Sequence, residues 1–156
     1  MDDSNKKNDE LVQQLGEATA RILKGGTLRD EKGMTDDEVE TIYALGYNLY
    51  STGRADDAET VFDYLTLIDH TNAKFWIARG AVEQMKRQFE KAVTSYAFAG
   101  FLDLEDPKPQ YHAAECYLAL GDRERALSAL AALDQYAPKD SPYRAKAKAL
   151  EEKIKS

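Results

Sequence analysis

The sequence predicts an all-α chain: a series of helical hairpins preceded by one helix and followed by a capping helix. Three observations predict it. Apolar residues recur at helical spacing from Leu11 to the C-terminus, and no stretch alternates with period two for long enough to make a strand. Helix-breaking residues interrupt this pattern at Gly53, Asn72, Asp106-Pro107, Gly121 and Pro138, and their spacing repeats.

The elements follow in order. Residues 1–10 are almost entirely polar and are expected to be a frayed tail. Leu11, Leu15, Ala18 and Ile22 then form an apolar stripe, widened by Val12 and Leu23, until Gly25 and Gly26 stop the helix. This helix and its connector occupy 11–34, with Thr27 to Met34 charged and carrying Gly33. At Thr35, Asp36, Asp37 and Glu38 the sequence matches a capping box, in which threonine hydroxyl and glutamate carboxylate satisfy early amides reciprocally. A second helix therefore starts near Asp36.

From there the chain repeats itself. An offset of 34 residues aligns Gly46 with Gly80 and Ala114, and Ala58 with Ala92 and Ala126; it also aligns Phe62 with Tyr96 and Leu130, and Leu65 with Ala99 and Leu133. This is the tetratricopeptide period, two antiparallel helices per unit, small where the helices approach and large in the hollow between them. Trp76, Tyr117 and Pro138 stand where that pattern puts its Trp, Tyr and Pro. Three repeats at about 39–72, 73–106 and 107–140 would wind into a right-handed superhelix. Residues 141–156, with Tyr143, Ala147, Leu150 and Ile154 on one side and charges elsewhere, suit the capping helix that such stacks need.

Composition narrows the function. The 156 residues suit one domain; 21 basic against 28 acidic residues give a net charge of −7, which disfavours nucleic acid and anionic membrane as partners. The apolar fraction of 43% against 31% charged is that of a globular chain, and no apolar run is long enough to insert in a bilayer. The first residues are acidic and polar, so no export signal is expected. A single cysteine, Cys116, makes neither an internal disulfide nor a multi-thiolate metal site, and the reducing cytoplasm is the natural compartment.

Candidates for chemistry are few. His70 and His112 belong to no metal-binding spacing, although His112 stands three residues before Glu115. Cys116, between Ala114 and Tyr117, reads as a small packing thiol. Gly25-Gly26 lacks the lysine of a phosphate loop, and the acidic run Asp36, Asp37, Glu38 and Glu40 complements a helix dipole better than it matches a calcium loop. The expectation is a binding protein, with no enzymatic activity, metal or cofactor.

The first repeat helix suggests what is bound. Ile42, Leu45, Gly46 and Leu49 make the stripe expected to pack on the partner helix, yet Tyr43, Tyr47 and Tyr50 make a second stripe on an adjacent face. In a tetratricopeptide stack that face lines the groove. The corresponding positions are Ile77, Ala81 and Gln84 in the second repeat and Tyr111, Glu115 and Leu118 in the third, giving a largely apolar and aromatic lining. Tyrosine rings bury much area at low entropic cost and keep a hydroxyl for a peptide backbone. Packing of these rings on the N-terminal helix or on a second subunit is the alternative. Co-chaperones that clamp a C-terminal carboxylate use Lys and Asn where Tyr43 and Tyr47 stand, so an extended peptide with apolar anchors and prolines fits better than an anionic tail.

The segment Ile42-Tyr43-Ala44-Leu45-Gly46-Tyr47-Asn48-Leu49-Tyr50, followed by Gly53 and Ala58, resembles the first repeat of the class II type III secretion chaperones, the SycD/LcrH/IpgC-like group. Leu67-Ile68-Asp69-His70, Phe75-Trp76, Gly80-Ala81 and Gln84 resemble it too, as do Gly26-Thr27-Leu28 and, most specifically, Asp106-Pro107 with Tyr111-His112-Ala113-Ala114-Glu115-Cys116-Tyr117-Leu118. The resemblance spans roughly residues 11–135. It implies a small cytoplasmic chaperone that holds hydrophobic, membrane-inserting translocator proteins soluble and apart before secretion by binding an extended segment of each in its groove. It also implies a homodimer formed through the N-terminal region, here the helix of Leu11, Leu15, Ala18 and Ile22. A regulatory adaptor assisting a transcription activator and a generic assembly scaffold are the alternatives. Arg79 before Gly80, and Met85-Lys86-Arg87 without a glycine between the second repeat's helices, depart from the family pattern.

Overall fold

The computed structural model describes the backbone of residues 2–156 and the side chains of residues 6–156. Among the described residues there are nine helices and no strand: α1 (Asp2–Leu23), α2 (Leu28–Lys32), α3 (Asp36–Ser51), α4 (Ala55–Ile68), α5 (Ala73–Met85), α6 (Phe89–Leu102), α7 (Pro107–Ala119), α8 (Arg123–Tyr136) and α9 (Pro142–Lys155). They form stacked hairpins, α3 on α4, α5 on α6 and α7 on α8, with α9 against the last.

Two expectations for the N-terminal region are corrected. The polar segment expected to fray is helical from Asp2 onward, Met1 lying outside the described residues. Lys6, Lys7, Glu10, Gln13 and Gln14 are good helix formers with no Gly or Pro among them, so a helix nucleated on the apolar stripe propagates backward through them. Gly25 and Gly26 stop it as expected: Gly25 takes a φ of 97°, and the Gly26 and Gly25 amides reach back to Arg21 and Ile22 carbonyls. The connector, in turn, contains the short helix α2. Thr27 and Asp30 cap it reciprocally, aspartate standing where glutamate is the usual signal. The box at Thr35 forms as read, with the Thr35 amide donating to Glu38 Oε2 at 2.8 Å and the Glu38 amide to Thr35 Oγ1 at 3.2 Å.

The repeat columns have a steric cause. A Cβ at Gly46 would lie 2.8 Å from the Phe62 ring, and one at Gly80 would lie 2.8 Å from the Tyr96 ring. Each ring occupies the notch that the missing side chain leaves. In the third hairpin the facing residue is the smaller Leu130, and Ala114 fits opposite it, both buried in one cluster.

The hairpin turns share a conformation as well. Gly53 and Gly121 have φ values of 79° and 78°; Arg87, one repeat from each, takes 59° although it is not glycine. The turn geometry is set by the stack, so the missing glycine leaves local strain and does not change the path of the chain. Arg79 is accommodated by ion pairs: its Nε lies 2.8 Å from Asp63 Oδ1 of α4 and 3.2 Å from Glu83 Oε1, while Ser95 of α6 donates to Glu83 Oε2 at 2.6 Å. Burial pushes the Glu83 carboxyl above its ordinary range, against the opposing pull of Ser95 and Arg79.

One packing expectation fails. Gly46 and Leu49 are buried and Ile42 half-buried, but Leu45 is 53% exposed. Its stripe position turns toward a preceding repeat, and in the first hairpin none is there. At the other end Ala147 and Ile154 are buried, with Tyr143 and Leu150 packed beside them.

Candidate peptide-binding groove

Helices α3, α5 and α7 meet on the side away from their hairpin partners. There Tyr50 of α3, Ala81, Gln84 and Met85 of α5, and His112 and Glu115 of α7 surround an open cavity of about 310 Å³, with Tyr96 of α6 reaching into it. Four residues read from the sequence as groove-lining thus come together: Tyr50, Ala81, Gln84 and Glu115. Tyr47 stands beside them, 57% exposed, its ring 6.3 Å from that of Tyr50.

The other positions lie deeper. Tyr43 is half-buried against the first hairpin's core, its ring 5.8 Å from Phe62 and 6.0 Å from Phe75, with the Lys74 ammonium 3.8 Å above it. Burial pushes its phenol pKa up. Ile77 packs half-buried toward the middle cluster, and Tyr111 and Leu118 toward the last. Tyr111 meets Tyr143 of α9 edge to face at 5.4 Å. These four of the nine positions pack on the core clusters and none of them lines the cavity, whereas Tyr50 does both.

The expected lining was largely apolar, and the centre differs. Tyr96 hydroxyl donates to Gln84 Oε1 at 2.8 Å, Gln84 Nε2 donates to Glu115 Oε2 at 3.3 Å, and His112 Nδ1 lies 2.8 Å from the same oxygen. The His112 ring stacks on Tyr96 with centroids 5.7 Å apart. Chiefly because of the His112 contact, and against the effect of burial, the Glu115 carboxyl is held below its ordinary range. Its neighbour Cys116 is fully buried and burial pushes its thiol up to about 12, which makes it a packing residue.

Tyr96, His112 and Met85 are the groove residues missed from the sequence. A signal existed for Tyr96: it stands in the column where the first repeat has Phe62, and its extra hydroxyl emerges past the Gly80 notch at Gln84. His112 was readable only as a partner for Glu115 three residues on, which is the contact it makes.

The N-terminal helix also presents apolar surface. Leu11 and Leu15 are 53% and 59% exposed, and Ala18 and Ile22 half-buried. Arg21 in its last turn donates to Glu31 Oε2 at 2.8 Å, which ties the helix to α2. A second apolar surface is carried by α4, α5 and α6, where Trp76 and Phe98 stack at 4.6 Å and Leu67 and Phe101 are exposed. Trp76 Nε1 donates to the His70 carbonyl at 2.9 Å, so that histidine's backbone has a structural part.

Two tetratricopeptide repeat models match the chain, over residues 39–72 and 86–150. The chaperone protein SicA of Salmonella typhimurium is 31% identical over 156 residues, covering 100% of this chain and 93% of the relative. The solved structure of the Yersinia enterocolitica type III secretion chaperone SycD, in complex with a peptide of the translocator YopD, is 30% identical with a TM-score of 0.73, covering 78% of this chain and 95% of that one. A type III secretion complex from Aeromonas hydrophila has a TM-score of 0.84 at 33% identity, covering 90% and 95%. With the stacked hairpins and the tyrosine-walled groove already in place, this likeness over nearly the whole length shows that the chain belongs to the tetratricopeptide translocator chaperones of type III secretion, the SycD/LcrH-like family.

Proposed function

We propose that this chain acts in the bacterial cytoplasm, binding an extended apolar segment of hydrophobic translocator proteins in the groove of α3, α5 and α7 and keeping them soluble and apart before secretion. The observation that carries the reading is the exposed Tyr47 beside half-buried Tyr50 at the rim of an open cavity, in a fold whose relative SycD is solved with a translocator peptide. Mechanism follows from area. Two or three aliphatic anchors at about 1.5–3 kcal/mol each offset the cost of ordering a short peptide, for roughly micromolar binding. A groove of this strength masks a segment and still releases it.

The test is solubility. Each candidate translocator is co-expressed with and without this chain, and the cognate ones are expected to become soluble in a stoichiometric complex; translocators that stay insoluble in every pairing would refute the reading. Tyr47→Glu places a charge on the exposed wall and is expected to weaken peptide binding about tenfold with unchanged helicity, measured by calorimetry and circular dichroism. Self-association through α1 belongs to the same proposal: its stripe of Leu11 and Leu15 is exposed, next to a first hairpin that Leu28 and Met34 cover only in part, leaving Leu45 outward. Recovery with a transcription activator in place of translocators would favour the regulatory adaptor.

A further inference from the structure

The polar chain across the groove centre deepens this reading and rests on it. Glu115 Oε2 receives both His112 Nδ1 and Gln84 Nε2, and Gln84 is fixed in turn because its amide oxygen receives the Tyr96 hydroxyl. Among the described residues, no side chain or backbone group bonds to Glu115 Oε1. The side chain of Glu115 is 37% exposed and Oε1 is not among the buried unpartnered polar atoms, so this oxygen keeps contact with solvent at the cavity. An extended peptide laid over Tyr47, Tyr50 and Ala81 brings one main-chain N–H per residue, and these need acceptors once water is displaced. Apolar and aromatic walls offer few. A carboxylate covered without a donor carries the opposite penalty, since burying an unpaired charge is costly.

We propose that Glu115 Oε1 accepts a main-chain N–H of the bound segment and thereby sets the register of the cargo in the groove. Gln84, His112 and Tyr96 are positioning residues for that oxygen. The matching cargo is an extended segment with apolar side chains on either side of one residue that is not proline, because proline has no N–H to give. A segment with proline at that residue, or shifted along the groove by one, leaves the carboxylate unpaired.

Glu115→Gln tests this sharply. His112 and Gln84 both donate toward the Oε2 position, so they hold the amide oxygen of the new side chain there. Its NH2 group then occupies the Oε1 position, a donor facing a donor. The probe is a set of short overlapping peptides from whichever translocator the co-expression experiment solubilises, with each main-chain amide of the binding peptide replaced in turn by an ester. On the wild-type chain one ester at the centre is expected to cost about tenfold or more in affinity. Glu115→Gln is expected to weaken the parent peptide by a similar factor, and the central ester to cost nothing further on that variant. An ester scan without a sensitive central position on the wild-type chain would overturn the proposal, whether or not the variant folds. So would a central ester that costs the variant as much as it costs the wild type. If no peptide from any solubilised translocator binds the wild-type chain, the groove reading itself falls, an outcome distinct from a peptide that binds indifferently to Glu115.

Discussion

The two ends of the stack are built differently. At the C-terminal end α9 lays Ala147 and Ile154 over the last hairpin, and the apolar stripe of the final repeat is covered. At the N-terminal end Leu28 and Met34 cover the first hairpin only in part: Leu45, on the first repeat helix, is left 53% exposed, and the amphipathic α1 is tied to α2 through Arg21 and Glu31 with Leu11 and Leu15 outward. The sequence supplies a cap at one end and a free apolar helix beside the other. A closed end stabilises the monomer; an open one invites another chain.

The largest expected effect comes from breaking the closed end. Ile154→Asp puts an unpaired charge at a buried position and is expected to cost about 3 kcal/mol or more, read as a fall in the denaturant midpoint. A change below 1 kcal/mol, roughly that of an ordinary surface substitution, would mean that α9 is dispensable. Next comes the middle of the stack, where neither end acts. Arg87→Gly relieves a left-handed conformation and is expected to raise stability by about 1 kcal/mol, since the two equivalent turns already carry glycine. Loss of stability there would show that the Arg87 side chain, lying over Phe89, outweighs the backbone strain. The smallest effect on folding is expected at the open end. Leu45→Glu should leave monomer stability within about 0.5 kcal/mol, while light scattering shows a shift to lower mass. An unchanged mass would mean that the open end takes no part in the proposed self-association.

The fold was legible because helix pairing imposes a period. A glycine opposite a ring cannot drift in register, so the columns Gly46 with Phe62 and Gly80 with Tyr96 are written into the sequence by the close approach they permit. Local chemistry without such a constraint was harder to read. The helical start of α1 depends on propagation through polar residues, and α2 on an aspartate doing the work of a glutamate. Leu45 was misassigned because its exposure is decided by the absence of a preceding repeat, which a periodic pattern does not display. In the groove, periodicity placed residues on a face and fixed neither depth nor partners. Tyr43 and Tyr47 share that face, yet one sinks against Phe62 and Phe75 while the other stands clear. The hydrogen-bonded line from Tyr96 to Glu115 joins two repeats, a relation that no single-repeat motif encodes.

The notch at Gly80 has a bearing on how such chains change over generations. A methyl group added there collides with the Tyr96 ring unless that ring shrinks too, as Ala114 and Leu130 show in the neighbouring unit. Yet Tyr96 also sends its hydroxyl into the groove, so shrinking it would cut the anchor of Gln84. Steric fit and the proposed reading of the ligand meet at one pair of positions in the middle unit, a coupling that Gly46 with Phe62 and Ala114 with Leu130 do not carry.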